Sequence, residues 1–272
     1  MNYKRIFDIN NRLAVITGAG GMLGSEIAKA LAQYGANIIL VDIDTSKINR
    51  LSKHLRAKYN KKYIPIKCDV GSPEDVKAMT EKIENQYGPI HILINNAATK
   101  GSSLKKYFDS IENYDHDVWK NVMNVNLDGM YLVAKEIGAK MAQRKNGSII
   151  QVASIYSSKM ASDQRIYKGS RYLDTKINTP AVYAASKAGV VGLTLHLASY
   201  WASKKVRVNT LSPGGIFSGQ NQKFVDNYSK RVPLGRMAKK EEMIGAILYL
   251  SSDASSYVTG QNIFVDGGLS SW

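Results

Sequence analysis

A tyrosine and a lysine stand four residues apart in the stretch AVYAASKAGVVGLTLHLASYW, Ala181–Trp201. On a helix this spacing places Tyr183 and Lys187 on one face, a turn apart. A free phenol has a pKa of about 10, and a nearby ammonium favours the phenolate and lowers that pKa. The pair is therefore a candidate general acid/base for a carbonyl or an alcohol near neutral pH. Such a pair also occurs by chance in many helices, so the rest of the chain must support it.

Composition limits the class of protein. The chain has 272 residues, 44% of them hydrophobic, and a net charge of +15, which fits one large α/β domain with a sizeable core. It has neither the roughly 18 uninterrupted apolar residues of a membrane span nor the apolar run of a secretory signal. Cys68 is the single cysteine, so no intramolecular disulfide can form, and we predict a cytoplasmic protein.

The basic charge is spread over the chain. The lysines form no dense tract and no nucleic-acid motif, so we predict a solvated surface with no nucleic-acid and no membrane partner. An anionic substrate or cofactor is the alternative explanation of the charge.

Short apolar runs alternate with helical patterns. The predicted strands are residues 13–17, 37–41, 63–67, 90–94, 148–152, 206–211 and 262–265, and long helices are predicted over about 115–143 and over Ala181–Trp201. This alternation predicts an α/β fold, a Rossmann-type doubly wound parallel sheet of about seven strands with helices on both faces. No repeat or linker interrupts it, so residues 1–272 are predicted to be a single domain.

A glycine-rich turn, TGAGGMLG, follows the first strand. Gly18, Gly21 and Gly24 allow a tight turn and bring backbone N–H groups close to a pyrophosphate at the helix N-terminus. Asp42 ends the next strand, 18 residues beyond Gly24. Its carboxylate would accept hydrogen bonds from an adenosine ribose and repel a 2′-phosphate, so we predict NAD in preference to NADP. Asp69 ends the third strand, where an adenine would lie.

Two stretches interrupt the alternation, residues 99–113 and residues 157–180. The second is long for a compact domain, and such loops are often lids or binding loops. It carries Lys159, Arg165, Lys168, Arg171 and Lys176 against Asp163 and Asp174. We predict that it is a substrate-loop insertion over the substrate pocket.

The motifs, taken in order, resemble the short-chain dehydrogenase/reductase family of the classical one-domain type, over about residues 13–268. They are the glycine turn, CDV at Asp69, NNAA from Asn95, NVNLDG around Asn126, Ser154 after the fifth strand, Tyr183 with Lys187, PGGI from Pro213, PLGRM from Pro233 and a final VDGG.

The resemblance implies an NAD(P)-dependent oxidoreductase that interconverts a secondary alcohol and a ketone by hydride transfer. It implies that Tyr183 is the general acid/base and that Lys187 lowers its pKa and holds the nicotinamide ribose. Ser154 would bind the substrate oxygen, and Asn126 would anchor a water in a proton relay. No metal is expected. The implied cofactor contacts are Gly18, Gly21, Met22, Asp42, Asp69, Val70, Asn96, Ala97, Lys187, Pro213, Gly214, Ile216 and Ser218.

Some features depart from the family's pattern. Met22 stands where glycine is usual, and the glycine spacing resembles the extended branch of the family, which often works on nucleotide sugars. Ser218 stands where threonine is common. Ser154 and Tyr183 are 29 residues apart, further than is usual, and the excess is the basic insertion.

Residues 163–169 and 179–201 resemble a sub-branch associated with flagellin modification and nonulosonic-acid sugar synthesis, and gluconate 5-dehydrogenase-type enzymes are similar. Arg165 and Lys168 would suit a phosphorylated or carboxylated sugar, because arginine can pair with such groups through two N–H donors, although a solvated basic loop is the alternative. We therefore predict a sugar, sugar phosphate or polyol as substrate, in surface-glycan or flagellin-glycan biosynthesis.

Two other functions stay open. One is a sugar epimerase or dehydratase with tightly held NAD, and the other is a non-catalytic dinucleotide-binding protein. The family resemblance also implies a homo-oligomer, a dimer or tetramer, formed through the 115–143 and Tyr183 helices and the final strand. Val190, Leu193 and Leu197 lie at helical spacing and fit either that interface or the core.

Overall fold

The computed structural model describes Tyr3, residues 5–157 and residues 163–271, so Lys159 lies outside the described residues. The strands are β1 (Leu13–Thr17), β2 (Asn37–Asp42), β3 (Tyr63–Lys67), β4 (Ile92–Asn95), β5 (Gly147–Val152), β6 (Arg171–Tyr172), β7 (Thr175–Lys176), β8 (Val206–Pro213) and β9 (Asn262–Val265). Seven of them form one parallel sheet in the order β3-β2-β1-β4-β5-β8-β9. The chain runs outward from β1 to β3 and then returns to β4 on the other side, as in doubly wound sheets. The predicted fold class is confirmed, and the single-domain assignment stays a prediction.

The helices are α1 (Met22–Gln33), α2 (Thr45–Lys58), α3 (Pro73–Gln86), α4 (Leu104–Tyr107), α5 (His116–Met123), α6 (Gly129–Arg144), α7 (Ala181–Trp201), α8 (Gln222–Ser229) and α9 (Ile244–Ser251). They cover both faces of the sheet. Alternate residues of β1 point to opposite faces, so Ile16 packs with α1, α2 and α9, whereas Val15 packs with α3, α6 and α7. The inner strands β1, β4 and β5 are therefore buried on both sides.

The helix predicted over residues 115–143 contains an irregular turn. It runs as α5, a π-helical turn over Asn124–Asp128, and α6. Such turns inside α-helices are frequent at functional sites. Asn126 lies within this one and is fully buried.

The predicted insertion has structure of its own. A 3₁₀ turn, Gln164–Tyr167, is followed by the antiparallel hairpin of β6 and β7. Leu173 and Asp174, at its tip, both have positive φ, as a two-residue turn of type I′ requires. The Asn178 side chain donates to the carbonyl oxygens of Phe108 (2.7 Å) and Asp109 (3.3 Å) and so fastens the insertion to the 99–113 segment.

Helix α7 packs on one face of the sheet, against β8 and β5. With the short turn after it, this helix is long and apolar enough, by length and composition alone, to cross a membrane, a test that the core helix of a soluble protein also passes. Val190 and Leu197 are buried within the subunit and Leu193 packs against the core, so the structure assigns these residues to the core. The exposed large apolar residues of α7 are Leu195 and Tyr200.

Candidate active site

Two adjoining cavities lie at the carboxyl end of the sheet, at the point where the strand order reverses between β1 and β4. In open α/β sheets this edge is where ligands bind. The first, here called the dinucleotide cavity, has a volume of about 600 Å³ and runs from the glycine turn to β3. The second, here called the catalytic cavity, has about 380 Å³ and contains Ser154, Tyr183 and Lys187. The two share Met22 and Asn96 among other lining residues.

The predicted cofactor contacts lie around these cavities. Gly18, Gly21, Met22, Asp42, Asp69, Val70, Asn96 and Ala97 line the dinucleotide cavity. Lys187, Pro213, Gly214 and Ile216 line the catalytic cavity, and Ser218 lines a third, outer cavity beyond it. Sequence reasoning missed Leu23, Ile43 and Lys47, which also line the dinucleotide cavity.

The glycine turn fits a dinucleotide. Gly18 has a φ of +64°, and a Cβ there would lie 2.9 Å from the Cα of Ala97. A Cβ at Gly24 would overlap the carbonyl oxygen of Gly18. Gly21 caps α1 without any side-chain hydrogen bond, so no side chain takes up the N–H groups of the first turn. These groups can bind a pyrophosphate.

Asp42 is held in place by the backbone around it. One carboxylate oxygen accepts from the N–H of Gly20 (2.8 Å) and the other from the N–H of Asp44 (3.0 Å). A carboxylate oxygen has more than one acceptor position, so both oxygens can still accept a ribose hydroxyl. The acid is thus rigidly placed at the rim of the dinucleotide cavity.

Thr17, which sequence reasoning missed, builds the wall between β1 and β4. Its fully buried hydroxyl accepts from the N–H groups of Asn96 (2.9 Å) and Ala97 (3.0 Å) and donates to the side chain of Asn95 (3.2 Å). The Asn96 side chain donates back to the carbonyl of Thr17 (3.1 Å). The segment after β4 is therefore anchored to the end of β1.

Ser154, Tyr183 and Lys187 come together in the catalytic cavity. Ser154 follows β5, and its hydroxyl lies close enough to the Tyr183 phenol to favour the phenolate. Lys187 is almost fully buried, and its Nζ donates to the carbonyl oxygen of Val152 at 2.8 Å. The helix places the tyrosine and lysine, and the end of β5 places the serine.

Burial controls the ionisation of this pair. It raises the pKa of the Tyr183 phenol, an effect that the hydrogen bond from Ser154 partly offsets and the nearby Tyr167 reinforces. Burial also lowers the pKa of Lys187 to about 8. The expectation that the pKa of Tyr183 lies below its ordinary value is therefore wrong in this structure, because desolvation disfavours the charged form of each group.

The Asn126 side chain holds the backbone of Thr99 at the edge of the catalytic cavity. Its Oδ1 accepts from the N–H of Thr99 (2.7 Å), and its Nδ2 donates to the carbonyl of the same residue (3.3 Å). Both ends of the amide are thus used to hold the segment after β4. The water-anchoring role of Asn126 stays a prediction.

The structure does not bring Arg165 and Lys168 to either the catalytic or the outer cavity. Arg165 lies on the 3₁₀ turn and Lys168 directly follows it; both are exposed, whereas Ile166 between them is buried. The guanidinium of Arg165 donates to the carboxylate of Asp163, with Nε to Oδ1 at 2.9 Å. The placement of Arg165 and Lys168 therefore does not support the prediction that they contact the substrate.

Aromatic residues line the outer cavity instead. It has about 220 Å³ and is bordered by Tyr107, Phe108, Tyr156, Tyr167, Tyr172 and Phe224, together with Lys100. Sequence reasoning passed over Lys100, which lies in the first interruption. In the sequence, the tyrosines between the basic residues of the insertion, Tyr167 and Tyr172, were the feature that could have indicated this aromatic lining.

The chain resembles known proteins over nearly its whole length. The family pattern described as short chain dehydrogenase matches residues 12–173, and a pattern described as Enoyl-(Acyl carrier protein) reductase matches residues 171–270. The 3-oxoacyl-(acyl-carrier-protein) reductase FabG of Thermotoga maritima is 34% identical over 265 residues, 96% of this chain and 98% of its own. Galactitol 2-dehydrogenase (L-tagatose-forming) of Cereibacter sphaeroides is 32% identical over 281 residues, covering 100% of both chains.

A solved structure extends the comparison. The crystal structure of a gluconate 5-dehydrogenase from Burkholderia cenocepacia in complex with NADP and tartrate matches with a TM-score of 0.87 and 31% identity, over 100% of both chains. The chain belongs to the short-chain dehydrogenase/reductase family. It is an NAD(P)-dependent oxidoreductase.

Proposed function

We propose that the protein is a dehydrogenase that interconverts a secondary alcohol and a ketone on a sugar, sugar phosphate or polyol, with NAD(H) as its cofactor. The observation that carries this proposal is that Ser154, Tyr183 and buried Lys187 line one cavity, which adjoins the dinucleotide cavity. The polyol and sugar-acid dehydrogenases among its relatives support the substrate class.

The chain's own residues would orient the substrate and move one proton. When bound, the nicotinamide supplies the hydride chemistry. Ser154 and Tyr183 would both hydrogen-bond the substrate oxygen, which fixes the carbonyl for attack. In reduction, the Tyr183 phenol gives its proton to that oxygen, and the Ser154 hydroxyl and the Lys187 ammonium stabilise the resulting phenolate. In oxidation the proton moves the other way.

The raised pKa of Tyr183 gives the two directions different pH dependences. Below that pKa the phenol is protonated, so ketone reduction starts from the form that predominates at neutral pH. Alcohol oxidation needs the phenolate, so its rate is expected to rise with pH. Opposite pH profiles for the two directions would support Tyr183 as the proton carrier.

The chemical step is tested by replacing the tyrosine. NADH absorbance is followed with a panel of sugars, sugar phosphates and polyols, in wild type and in Tyr183→Phe. The variant should lose about 10²- to 10⁴-fold in kcat, the usual share of a general acid/base. Tyr114→Phe is the matched control, because its hydroxyl is buried away from both cavities. Full turnover by Tyr183→Phe would disprove the mechanism.

The cofactor preference is tested at Asp42. We infer from its fixed carboxylate that NADH is used in preference to NADPH; the Burkholderia structure holds NADP, so the relatives leave this open. Asp42→Asn should shift the kcat/KM ratio toward NADPH by about tenfold, or ~1.4 kcal/mol. Asp44→Asn is the control: Asp44 is the N-cap of α2, two residues further on, and the same change there should leave the ratio unaltered. A wild-type preference for NADPH would refute the role given to Asp42.

A second candidate is a sugar epimerase or dehydratase with tightly held NAD. The spacing of Gly18, Gly21 and Gly24 favours it, because that spacing resembles the extended branch of the family. Such an enzyme would convert substrate with no net change in NADH absorbance. The same substrate panel, followed by chromatography of the products, separates the two candidates.

Assembly, location and pathway complete the proposal. We propose a cytoplasmic homo-oligomer, a dimer or tetramer, and the exposed Leu195 and Tyr200 of α7 with Tyr131 of α6 support a covered surface there. Light scattering of the purified protein tests this. A role in surface-glycan or flagellin-glycan biosynthesis is supported by the sequence resemblance of residues 163–169 and 179–201.

A further inference from the structure

The catalytic and outer cavities adjoin each other and share several lining residues, among them Lys100, Tyr167, Tyr183 and Phe224. Their lining, as far as the structure describes it, contains two lysines and no aspartate or glutamate. Lys187 belongs to the reacting end, where its Nζ is bonded to the Val152 carbonyl. Lys100 is the cation of the outer part.

The backbone around Lys100 is fixed on both sides. The preceding residue, Thr99, is held by Asn126 through its N–H and its carbonyl. The following residue, Gly101, has a φ of +71° and donates its N–H to the Thr99 hydroxyl at 2.9 Å. These hydrogen bonds fix the backbone on both sides of Lys100, and the Lys100 side chain lines the outer cavity.

The Lys100 ammonium has aromatic neighbours. It lies 4.8 Å from the ring centre of Tyr172, which the insertion hairpin contributes, and 5.8 Å from that of Phe108. None of the ion pairs within 4.0 Å among residues 5–157 and 163–271 includes Lys100, whereas Lys106 in the same segment pairs with Asp115 at 2.9 Å. The surrounding protein partly desolvates the Lys100 ammonium and lowers its pKa, while Asp115 raises the pKa of Lys106. The Lys100 side chain is nonetheless exposed, so a ligand can reach it.

We propose that Lys100 binds a carboxylate at the end of the substrate remote from the reacting carbon, so that the substrate is a sugar acid. The inference rests on the proposed dehydrogenase function and names its substrate class. An unpaired, partly desolvated ammonium in a cavity without acidic residues attracts an anion. A single ammonium suits a monoanionic carboxylate, whereas phosphate sites gather several N–H donors from arginine or a helix N-terminus.

The test compares matched substrates on matched variants. The probes are a panel of aldonates, the alditols of the same carbon skeletons and the corresponding alditol phosphates, each assayed for kcat and KM with NAD. Lys100→Met removes the charge, Lys100→Arg keeps it, and Lys105→Met removes an exposed charge from the same segment outside the cavities.

Wild type should prefer the aldonate over the alditol. Lys100→Met should raise the KM for the aldonate by about tenfold, equivalent to ~1.4 kcal/mol, with kcat and the KM for the alditol nearly unchanged. Lys100→Arg should restore most of the loss, and Lys105→Met should behave as wild type. Equal losses for aldonate and alditol would show that Lys100 only packs against Tyr172 and would overturn the proposal. A Lys100-dependent preference for the phosphate would also overturn it.

Failure of the proposed function is distinguishable from failure of this inference. Aldonate and alditol binding is measured by calorimetry on Tyr183→Phe in the presence of NADH, where turnover does not interfere. One outcome is that aldonate binding depends on Lys100 while wild type shows no change in NADH when aldonate is added. That outcome would support the inference about Lys100 and reject the proposed dehydrogenase reaction. No preference for aldonate over alditol in this binding assay would overturn the inference itself.

Discussion

The buried hydroxyl of Thr17 gives the sharpest prediction about how the site is supported. Thr17→Val keeps the shape of the side chain and removes its oxygen. That oxygen serves three hydrogen bonds, two of them from backbone N–H groups of Asn96 and Ala97. Valine would leave these donors without a partner at the wall of the dinucleotide cavity.

The expected cost follows from those two donors. A buried N–H group left unpaired costs about 1–3 kcal/mol. Ala97 is buried, so its N–H should bear most of that cost, whereas Asn96 is partly exposed and can regain some hydration. We expect Thr17→Val to lower the free energy of unfolding by about 2–4 kcal/mol. Because Asn96 and Ala97 line the dinucleotide cavity, the KM for NAD should rise as well.

Urea unfolding and steady-state kinetics measure both effects, with Thr210→Val as the control. Thr210 is equally buried, but its hydroxyl only donates to the Thr194 hydroxyl at 2.8 Å. Thr194 keeps its own bond to the Val190 carbonyl at 2.9 Å, so this control leaves no donor unpaired and should cost about 1 kcal/mol or less. The reasoning is refuted if Thr17→Val costs no more than Thr210→Val.

Three further predictions concern other parts of the site. Because burial lowers the pKa of Lys187 to about 8 from an ordinary 10.5, the unfolded chain holds that proton more tightly. As the pH rises from about 7.5 to about 9.5, the free energy of unfolding of wild type should therefore increase by about 2 kcal/mol relative to that of Lys187→Met. Urea unfolding at several pH values measures this difference, and a difference that does not change with pH would contradict the prediction. Gly24→Ala places a methyl group against the carbonyl of Gly18 and should weaken NAD binding about tenfold in a fluorescence titration. Gly192→Ala is the control: its methyl group points into open space on α7, and the change should stabilise the helix by up to about 1 kcal/mol. Asn178→Ala releases the insertion from the 99–113 segment and should raise the KM for substrate but not for NAD; equal rises in both would refute the fastening role.

Much of the fold could be predicted because strands and helices leave local patterns of apolar residues in the sequence. All seven predicted strands appear in the sheet, since each is a short apolar run, and the inner strands β1, β4 and β5 are buried along their whole length. The helix over residues 115–143 was also predicted, although its π-helical turn at Asn126 was not. The hairpin of β6 and β7 was missed because its tip, Leu173 and Asp174, has positive φ without the Asn-Gly or Gly residues that usually mark such a turn.

The sequence by itself determined the family, the order of the elements and the catalytic set of Ser154, Tyr183 and Lys187 as a hypothesis. These follow from residue types at fixed spacings along one chain. The tertiary structure decided which cation lines the outer cavity: Lys100, whose ammonium lies beside the Tyr172 ring of the insertion, and not Arg165. It also decided the direction of the Tyr183 pKa shift. Both depend on burial and on contacts between residues far apart in the chain, and spacing along the sequence does not fix either.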